Sequence, residues 1–534
     1  MKLGVGRADQ DTRLVAMEDV VMFGGIFRRS LSEFDLKVFD TFVPGDHFLR
    51  GALEIIPWED FEEVLAGYYS PDRGRPPESP VLMLKFEYLR YHYTLSDRQV
   101  IERAKTDMAF RYFLQVDMHN QLPDPSSLCR FRGRLGKEGF HEVFDRVVAV
   151  AREQGMVKDR LRLKDASHVI ADIAIPTTLA LLAQTRDKLL AGVEPFDPIR
   201  VEGERINIEL LRQSTEGQGN QERLVARVTH LREMLAWIDQ LPAPEDAPTN
   251  RCWQTLIERR ELAHKILHDQ DNPKAGDKTR STVDPEARRA KHGDWYDGYM
   301  LDILMDADSE IITQINVLPA NGEEAWDAIE LVRQEEAAHG NDIESLSIDG
   351  AGFNGPVLRE LEDPKGLGID TIVPPKAEPA TEMFGPEDFA EDAETGGVSC
   401  PGGKKSRYRE RDSKNRATIH RFAREDCQGC PLLGQCMKNP PKHFGRSVRK
   451  NDYEKEYQRV HEKAKTEAYA SVRSVHPKVE RKLGEVLNRH GGRRAHYHGA
   501  GKILIQELMA CTATNIKRIL RLVCAPEVAS ANGI

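Results

Sequence analysis

The chain has 534 residues, 40% of them hydrophobic and 30% charged, and a formal net charge of −10. That length exceeds what one hydrophobic core can organise and predicts roughly two to four domains. No stretch of about twenty apolar residues occurs, and the N-terminus lacks a basic-then-apolar leader, which argues against membrane insertion and secretion and for a cytoplasmic protein.

Taken alone, the net charge argues against a nucleic-acid partner, but the charges are segregated. Seven acids (Glu378, Glu382, Glu387, Asp388, Glu391, Asp392 and Glu394) run without a base, and Cys400–Lys450 then holds six Lys and eight Arg against two Asp and two Glu. Local charge sets what a surface attracts, so this stretch favours a polyanion partner over a merely solvated loop.

In chain order, residues 1–75 form an N-terminal segment of mixed signals, closed by the Pro/Gly-rich joint "SPDRGRPPESP". Residues 76–157 read as an all-α DNA-binding domain. Leu82, Leu84, Phe86 and Leu89, then Val100 and Ala104, recur at helical spacing, and Ser96 is placed as an N-cap. Two further helices follow, the first capped at Ser126 and carrying Arg130, Arg132 and Arg134. Bases behind a helix start suit phosphate or groove contact; pairing with neighbouring acids on a surface helix accounts for them equally well.

From residue 158 the pattern turns to strands. "RLRLKDASHVIADIAIP" puts Leu161, Leu163 and Asp165 on one face. Residues 158–176 and 280–376 read as one mixed-sheet domain, interrupted at 177–279 by polar helices that resemble an inserted helical hairpin. "DGYMLDILMDADSEIITQINVLPANG" is a β-hairpin, with Asp302, Asp306 and Asp308 in or beside its turn read as structural. A helix ("EEAWDAIELVRQEEAAHG"), a strand ("IESLSIDG"), a short helix and a strand ("GIDTIVPP") follow. Residues 377–460 make an acidic linker and a basic, cysteine-bearing insertion, and 461–534 supply C-terminal helices. Without the insertions the order is β-ββ-α-β-α-β-α, that of a ribonuclease-H-like mixed sheet, so the fold class is α+β and multidomain.

Within this frame Asp349 ends an apolar strand and is followed by Gly350 and Gly352, which fits either a turn or a metal site approached closely by phosphate. Cys400, Cys427, Cys430 and Cys436 crowd into the basic insertion. Four thiolates around a tetrahedral Zn²⁺ would knit a segment too polar to fold on its own core; free thiols in a reducing compartment are the alternative. The bases beside them, Lys404, Lys405, Arg407 and Arg409, are candidate DNA contacts.

The blocks "KDASHVIAD", "VDPEARRAKHGDWYDGYMLDILMDADSEIITQINVLPANGEE", "SIDGAGFNG" with "IVPP", and "VERKLGEVLNRHGGRRAHYHG", in that order, resemble those of bacterial insertion-sequence DDE transposases. The resemblance implies a catalytic triad of Asp165, Asp349 and Glu480 holding two Mg²⁺ or Mn²⁺ ions. In-line attack on a phosphodiester needs such a pair, and hard cations prefer carboxylate oxygens. Asp172, seven residues after Asp165, competes for the first place. The family's Tyr, Arg, Glu, Lys signature is matched poorly, with Arg473, His476 and Leu487 around Glu480. Glu480 is favoured over Glu485 because it flanks the apolar face of Val479, Leu483, Val486 and Leu487. Arg493 and Arg494, just beyond, would meet phosphates.

The function implied is transposition: binding terminal inverted repeats, cutting the ends and joining the 3′-hydroxyls to target DNA, as a homodimer in the complex and at the nucleoid. A domesticated DNA-binding protein and a nuclease that cuts without joining are the alternatives.

Overall fold

The computed structural model describes residues 31–69, 78–119, 121–377, 383–392, 396–439 and 442–524. Most of the Pro/Gly-rich joint, and Glu378, Glu382 and Glu394 of the acidic run, lie outside them. The chain divides into two compact units at Val143 and Phe144.

The described part of the first unit is helical: α1 (Glu33–Phe42), α2 (Phe48–Ile55), α3 (Asp60–Ala66), α4 (Pro80–His92), α5 (Asp97–Thr106), α6 (Met108–Leu114) and the start of α7 (Pro125–Glu153). Ser96 caps α5 as expected, in a reciprocal box with Gln99. An aromatic core of Trp58, Phe61, Tyr88 and Phe113 forms its centre, the Trp58 indole donating to the Ala52 carbonyl at 2.9 Å. Gly136, at φ 62°, breaks α7 into the two arms that the sequence predicts. The cap of the first arm is Asp124 rather than Ser126: its Oδ1 accepts from the Ser126 N–H at 2.8 Å, and Pro125 takes the first helical position.

The second unit is α+β. Its sheet contains β1 (Arg162–Ile170), β2 (Arg288–His292), β3 (Asp294–Asp306), β4 (Ile312–Pro319), β5 (Ser345–Ser347) and β6 (Asp370–Ile372). β1 is antiparallel to β3 and parallel to β5, β5 is parallel to β6, and β4 pairs with the other edge of β3, so the sheet is mixed. Between β1 and β2 stand α8 (Thr178–Val193), α9 (Pro198–Ser214), α10 (Asn220–Ile238) and α11 (Arg251–Asp271). The expected hairpin is therefore four helices among the described residues. They enclose a core of their own, including Leu181, Leu189, Leu235, Trp253 and Ile266.

α12 (Glu324–His339) and α13 (Gly355–Glu362) follow the hairpin and β5 respectively. The insertion then forms β7 (Ala390–Asp392), β8 (Gly397–Ser399), β9 (Tyr408–Asp412), β10 (Ala417–Arg421), α14 (Arg424–Gln428), α15 (Leu433–Cys436) and β11 (Ser447–Asn451). The chain closes with α16 (Glu454–Lys463), α17 (Glu467–Val475), α18 (Pro477–Arg489) and α19 (Ala500–Cys524). α19 is buried along most of its length and packs on β4, where the Asn515 amide accepts from the Ile312 N–H and donates to its carbonyl.

One feature of β1 contradicts simple alternation. Arg162 and Lys164, on the face opposite Leu163 and Asp165, are fully buried. Arg162 binds Glu335 of α12 at 2.6 Å and Asp306 at 3.1 Å; Lys164 binds Asp302 at 2.8 Å and Glu324 at 3.5 Å. Asp302, Asp306 and Asp308 are thus structural as expected, with Asp308 paired to Arg160, though Asp302 lies well inside β3 rather than at its turn.

Candidate active site

Strand register brings the first two acids together. β1 and β5 run parallel with Leu163 opposite Ser347. Two residues further along each chain come Asp165, inside β1, and Asp349, just beyond the end of β5. Asp165 Oδ1 accepts from the Ala166 N–H and Asp349 Oδ1 from the Ala351 N–H, each at 2.9 Å, which fixes one oxygen of each carboxylate and leaves the other.

A third acid, absent from the sequence reading, completes the cluster. Asp165, Glu324 and Asp349 each present a carboxylate oxygen within 4.8 Å of the others, and no other described group of three or more potential metal ligands is as close. Glu324 opens α12 directly beyond the hairpin. In the sequence it is one of two adjacent acids at a helix start, where acids are ordinary because they meet the helix dipole. Its register with β1 and β5 becomes visible only in the fold.

Glu480 stands in the first turn of α18, exposed, on a helix that packs against β1 through its Val479, Leu483, Val486 and Leu487 face. Its charge reaches Asp165. Burial pushes the Asp165 carboxyl up to about 7 against the pull of the Ala166 N–H, and the charges of Glu324, Asp349 and Glu480 add to that rise. Glu485 faces elsewhere, paired to Lys517 at 2.7 Å and Lys482 at 3.4 Å. Asp172 lies beyond the end of β1.

Arg473 and His476 do structural work in place of the family signature. The Arg473 guanidinium donates to the Ser347 hydroxyl at 3.1 Å and the Ile348 carbonyl at 2.9 Å, and His476 Nδ1 lies 3.0 Å from the same hydroxyl. These bonds tie the end of α17 and the N-cap of α18 to the strand end that precedes Asp349. Burial pushes His476 down to about 4, with Arg473 adding to the drop, so it is a neutral partner at physiological pH.

The two glycines after Asp349 differ in purpose. A Cβ on Gly350 would meet nothing within 4 Å, in keeping with an open approach to the acids; one on Gly352 would lie 2.9 Å from Ile348 Cβ and 3.0 Å from Val373. Gly352 therefore serves close packing rather than access. Gly352→Ala is expected to cost about 1–3 kcal/mol in urea denaturation, and Gly350→Ala less than about 0.5 kcal/mol.

The remaining candidates divide by exposure. Arg130 and Arg134 are exposed, the latter lying over the Tyr69 ring at 4.3 Å. Arg132 is only 8% exposed and its guanidinium bridges Glu87 and Asp97, each at 2.5 Å, so it is an interior ion pair and not a phosphate contact. In the insertion Lys405 binds Asp392 at 2.6 Å and Arg407 lies 3.9 Å from Asp426, while Lys404 and Arg409 are exposed. Arg493 turns toward β1, donating to the His168 carbonyl at 2.6 Å; Arg494 is exposed.

Cys400, Cys427, Cys430 and Cys436 line one small hollow, joined by Phe384 and Phe422. The Lys404 and Arg446 N–H groups donate to the Cys400 and Cys427 sulfurs at 3.4 Å. Burial raises the Cys427 and Cys436 thiols, and the neighbouring cysteines raise them further.

Two segments of the chain match known protein families. Residues 37–134 match the family described as "Transposase domain (DUF772)", and residues 399–520 match "Transposase DDE domain", a segment that includes the four cysteines and Glu480. A protein of Rhizobium meliloti, described as uncharacterized protein ORF8 in the nfe locus, is 31% identical over 106 residues, 20% of this chain. The alignment spans about half (51%) of that relative's length. Two separate segments of the chain are thus similar to transposase domains. No helix among the described residues is long and apolar enough to cross a membrane.

Proposed function

We propose that the protein is a DNA transposase: it binds the terminal inverted repeats of its insertion sequence, cleaves the ends by hydrolysis and joins the freed 3′-hydroxyls to target DNA. The observation that carries this reading is the convergence of Asp165, Glu324 and Asp349 from three separate elements, with Glu480 bearing on Asp165 from a fourth. In supporting this reading, a ribonuclease-H-like core is the natural description of the mixed sheet, with the acids at one end of its central strands.

The donor set fits Mg²⁺ or Mn²⁺, two per site. All the donors are carboxylate oxygens, and their mutual repulsion at Asp165 is what bound cations would relieve. When bound, such a pair activates the attacking oxygen and stabilises the leaving one. The chain's own part is positional. β1 and the end of β5 place Asp165 and Asp349, Lys164 anchors Glu324 from behind, and Arg473 and His476 fix the helix bearing Glu480. The exposed Arg130, Arg134, Lys404, Arg409 and Arg494 would contact backbone phosphates, with Lys405 and Arg407 available on breaking weak surface pairs. Two ends must be handled together, which calls for a homodimer in the DNA complex.

The insertion calls for a staple, because its hydrophobic cluster among the described residues is small, built on Phe389, Val398, Phe422 and Val448. Zn²⁺ on Cys400, Cys427, Cys430 and Cys436 supplies one. The purified protein is expected to carry about one zinc per chain by elemental analysis, and Cys400→Ser/Cys430→Ser protein none; native protein free of zinc would contradict this assignment.

Incubation with a DNA end bearing the inverted repeat tests the function itself. Mg²⁺-dependent cutting followed by strand transfer is the expected result. Cutting without joining would indicate a nuclease, and binding without cutting a regulatory DNA-binding protein.

A further inference from the structure

A cavity of about 440 Å³ lies at the far end of the sheet from the acids. It is walled where strands begin: Arg160 and Leu161 precede β1, Ser345 opens β5 and Asp370 opens β6, while Ala307 and Asp308 follow β3. Asp165 and Asp349 come further along, within β1 and past β5. The remaining wall is α17 with Lys463 before it and Lys478 after it. The volume suits one small ligand, within a range of about 300–1,000 Å³, and is far too small for a DNA duplex.

α17 has no fully buried residue. Tyr469, Val472 and Val475 nevertheless recur at every third position, an apolar stripe of the kind a helix normally packs away. That stripe lines the cavity, with Leu161 and Ile372 on the sheet side. A helix that turns such a stripe to unfilled space leaves dispersion contacts unmade, and an occupant would supply them. The charges of the lining are uneven. It carries three bases, Arg160, Lys463 and Lys478, and two acids, Asp308 and Asp370. Arg160 pairs with Asp308 at 2.7 Å, and Lys463 pairs with Asp370. The Lys478 ammonium donates to the Ala307 carbonyl at 2.8 Å and pairs with no carboxylate among the described residues. Ala307 and Asp308 are neighbours in the chain, so this uncompensated charge stands beside the Arg160 guanidinium.

An apolar wall with a surplus ammonium at its end selects one kind of ligand. A metal cation would meet a net positive lining, and a neutral apolar molecule would strip water from Lys478 without replacing it. We propose that this cavity binds a small organic monoanion, a carboxylate or sulfonate on an apolar body, with the anion on Lys478 and Arg160 and the body against Tyr469, Val472 and Val475. Neither DNA nor the acid cluster takes part in this binding. Occupancy braces α17, which also carries Arg473 and leads into His476, the two residues bonded to Ser347 ahead of Asp349.

The full-length protein, free of DNA, tests this with 8-anilinonaphthalene-1-sulfonate as the probe. Fluorescence titration is expected to show a saturable site. Lys478→Gln should weaken it by about three- to thirtyfold, the loss of one charge-assisted contact, and Lys478→Arg should hold it within about threefold. Val472→Trp, which fills the cavity, should abolish it. Hydrogen–deuterium exchange on the native protein gives a second reading that needs no variant to fold: the probe should slow exchange in peptides spanning α17. Affinity unchanged in Lys478→Gln, or exchange slowed only in peptides away from α17, would overturn the proposal. Because no DNA is present, either result leaves the transposase reading to its own cleavage test.

Discussion

Replacing Asp165 by asparagine is expected to abolish DNA cleavage and at the same time to stabilise the protein in magnesium-free buffer. The Asp165 carboxyl titrates near 7 in the fold, with burial the main cause and Glu324, Asp349 and Glu480 adding to it. In the unfolded chain it titrates near 3.9. Between those values the folded state holds a proton that the unfolded state has released, so stability falls as pH rises through this window and the full penalty is present above about pH 7. Asparagine removes that charge. At pH 8 the gain should be about 2 kcal/mol after allowance for solvent relaxation, or about 2–4 °C in the melting transition of this unit, and it should vanish near pH 4. Cleavage should drop by about a thousandfold or more, since a ligand charge at the reacting phosphate is lost. Loss of activity accompanied by loss of stability would mean that Asp165 is a structural acid.

Removing the cation behind the cluster should have the opposite sign and a larger size. Lys164 is fully buried; burial opposes its charge, yet Asp302 and Glu324 raise its pKa overall. Lys164→Met leaves Asp302 buried without its partner, at an expected loss of about 3–5 kcal/mol in chemical denaturation. Lys164→Met/Asp302→Leu removes both charges and should recover most of that stability. Cleavage should not recover with it, because Glu324 has lost the ammonium that holds it toward Asp165 and Asp349. Full activity in the stable double variant would show that Glu324 needs no anchor.

The contrast between these two acids explains how much could be read from the chain. Asp165 and Asp349 could be singled out because each accompanies a strand, Asp165 within β1 on the face of Leu163 and Asp349 just past the end of β5, and strands announce themselves by period. The capped helix at Ser96, the β-hairpin and the order of elements were legible for the same local reasons. Glu324 was not, since its meaning lies in a parallel register between strands about 180 residues apart, as the pairing of Leu163 with Ser347 defines it. Arg132 and Lys164 mark the complementary failure: a base in a sequence looks like surface charge until the fold supplies Glu87, Asp97 or Asp302 beside it. The helical insertion was underestimated because its core residues are spaced across four helices and no single one is strongly amphipathic.

The most direct test of the central claim is the anomalous scattering of Mn²⁺ in crystals of the protein with a cleaved DNA end. The account predicts two manganese peaks about 4 Å apart, bounded by the carboxylates of Asp165, Glu324 and Asp349 and within reach of Glu480. Crystals with DNA seated on the protein and no manganese at Asp165 and Asp349 would contradict it.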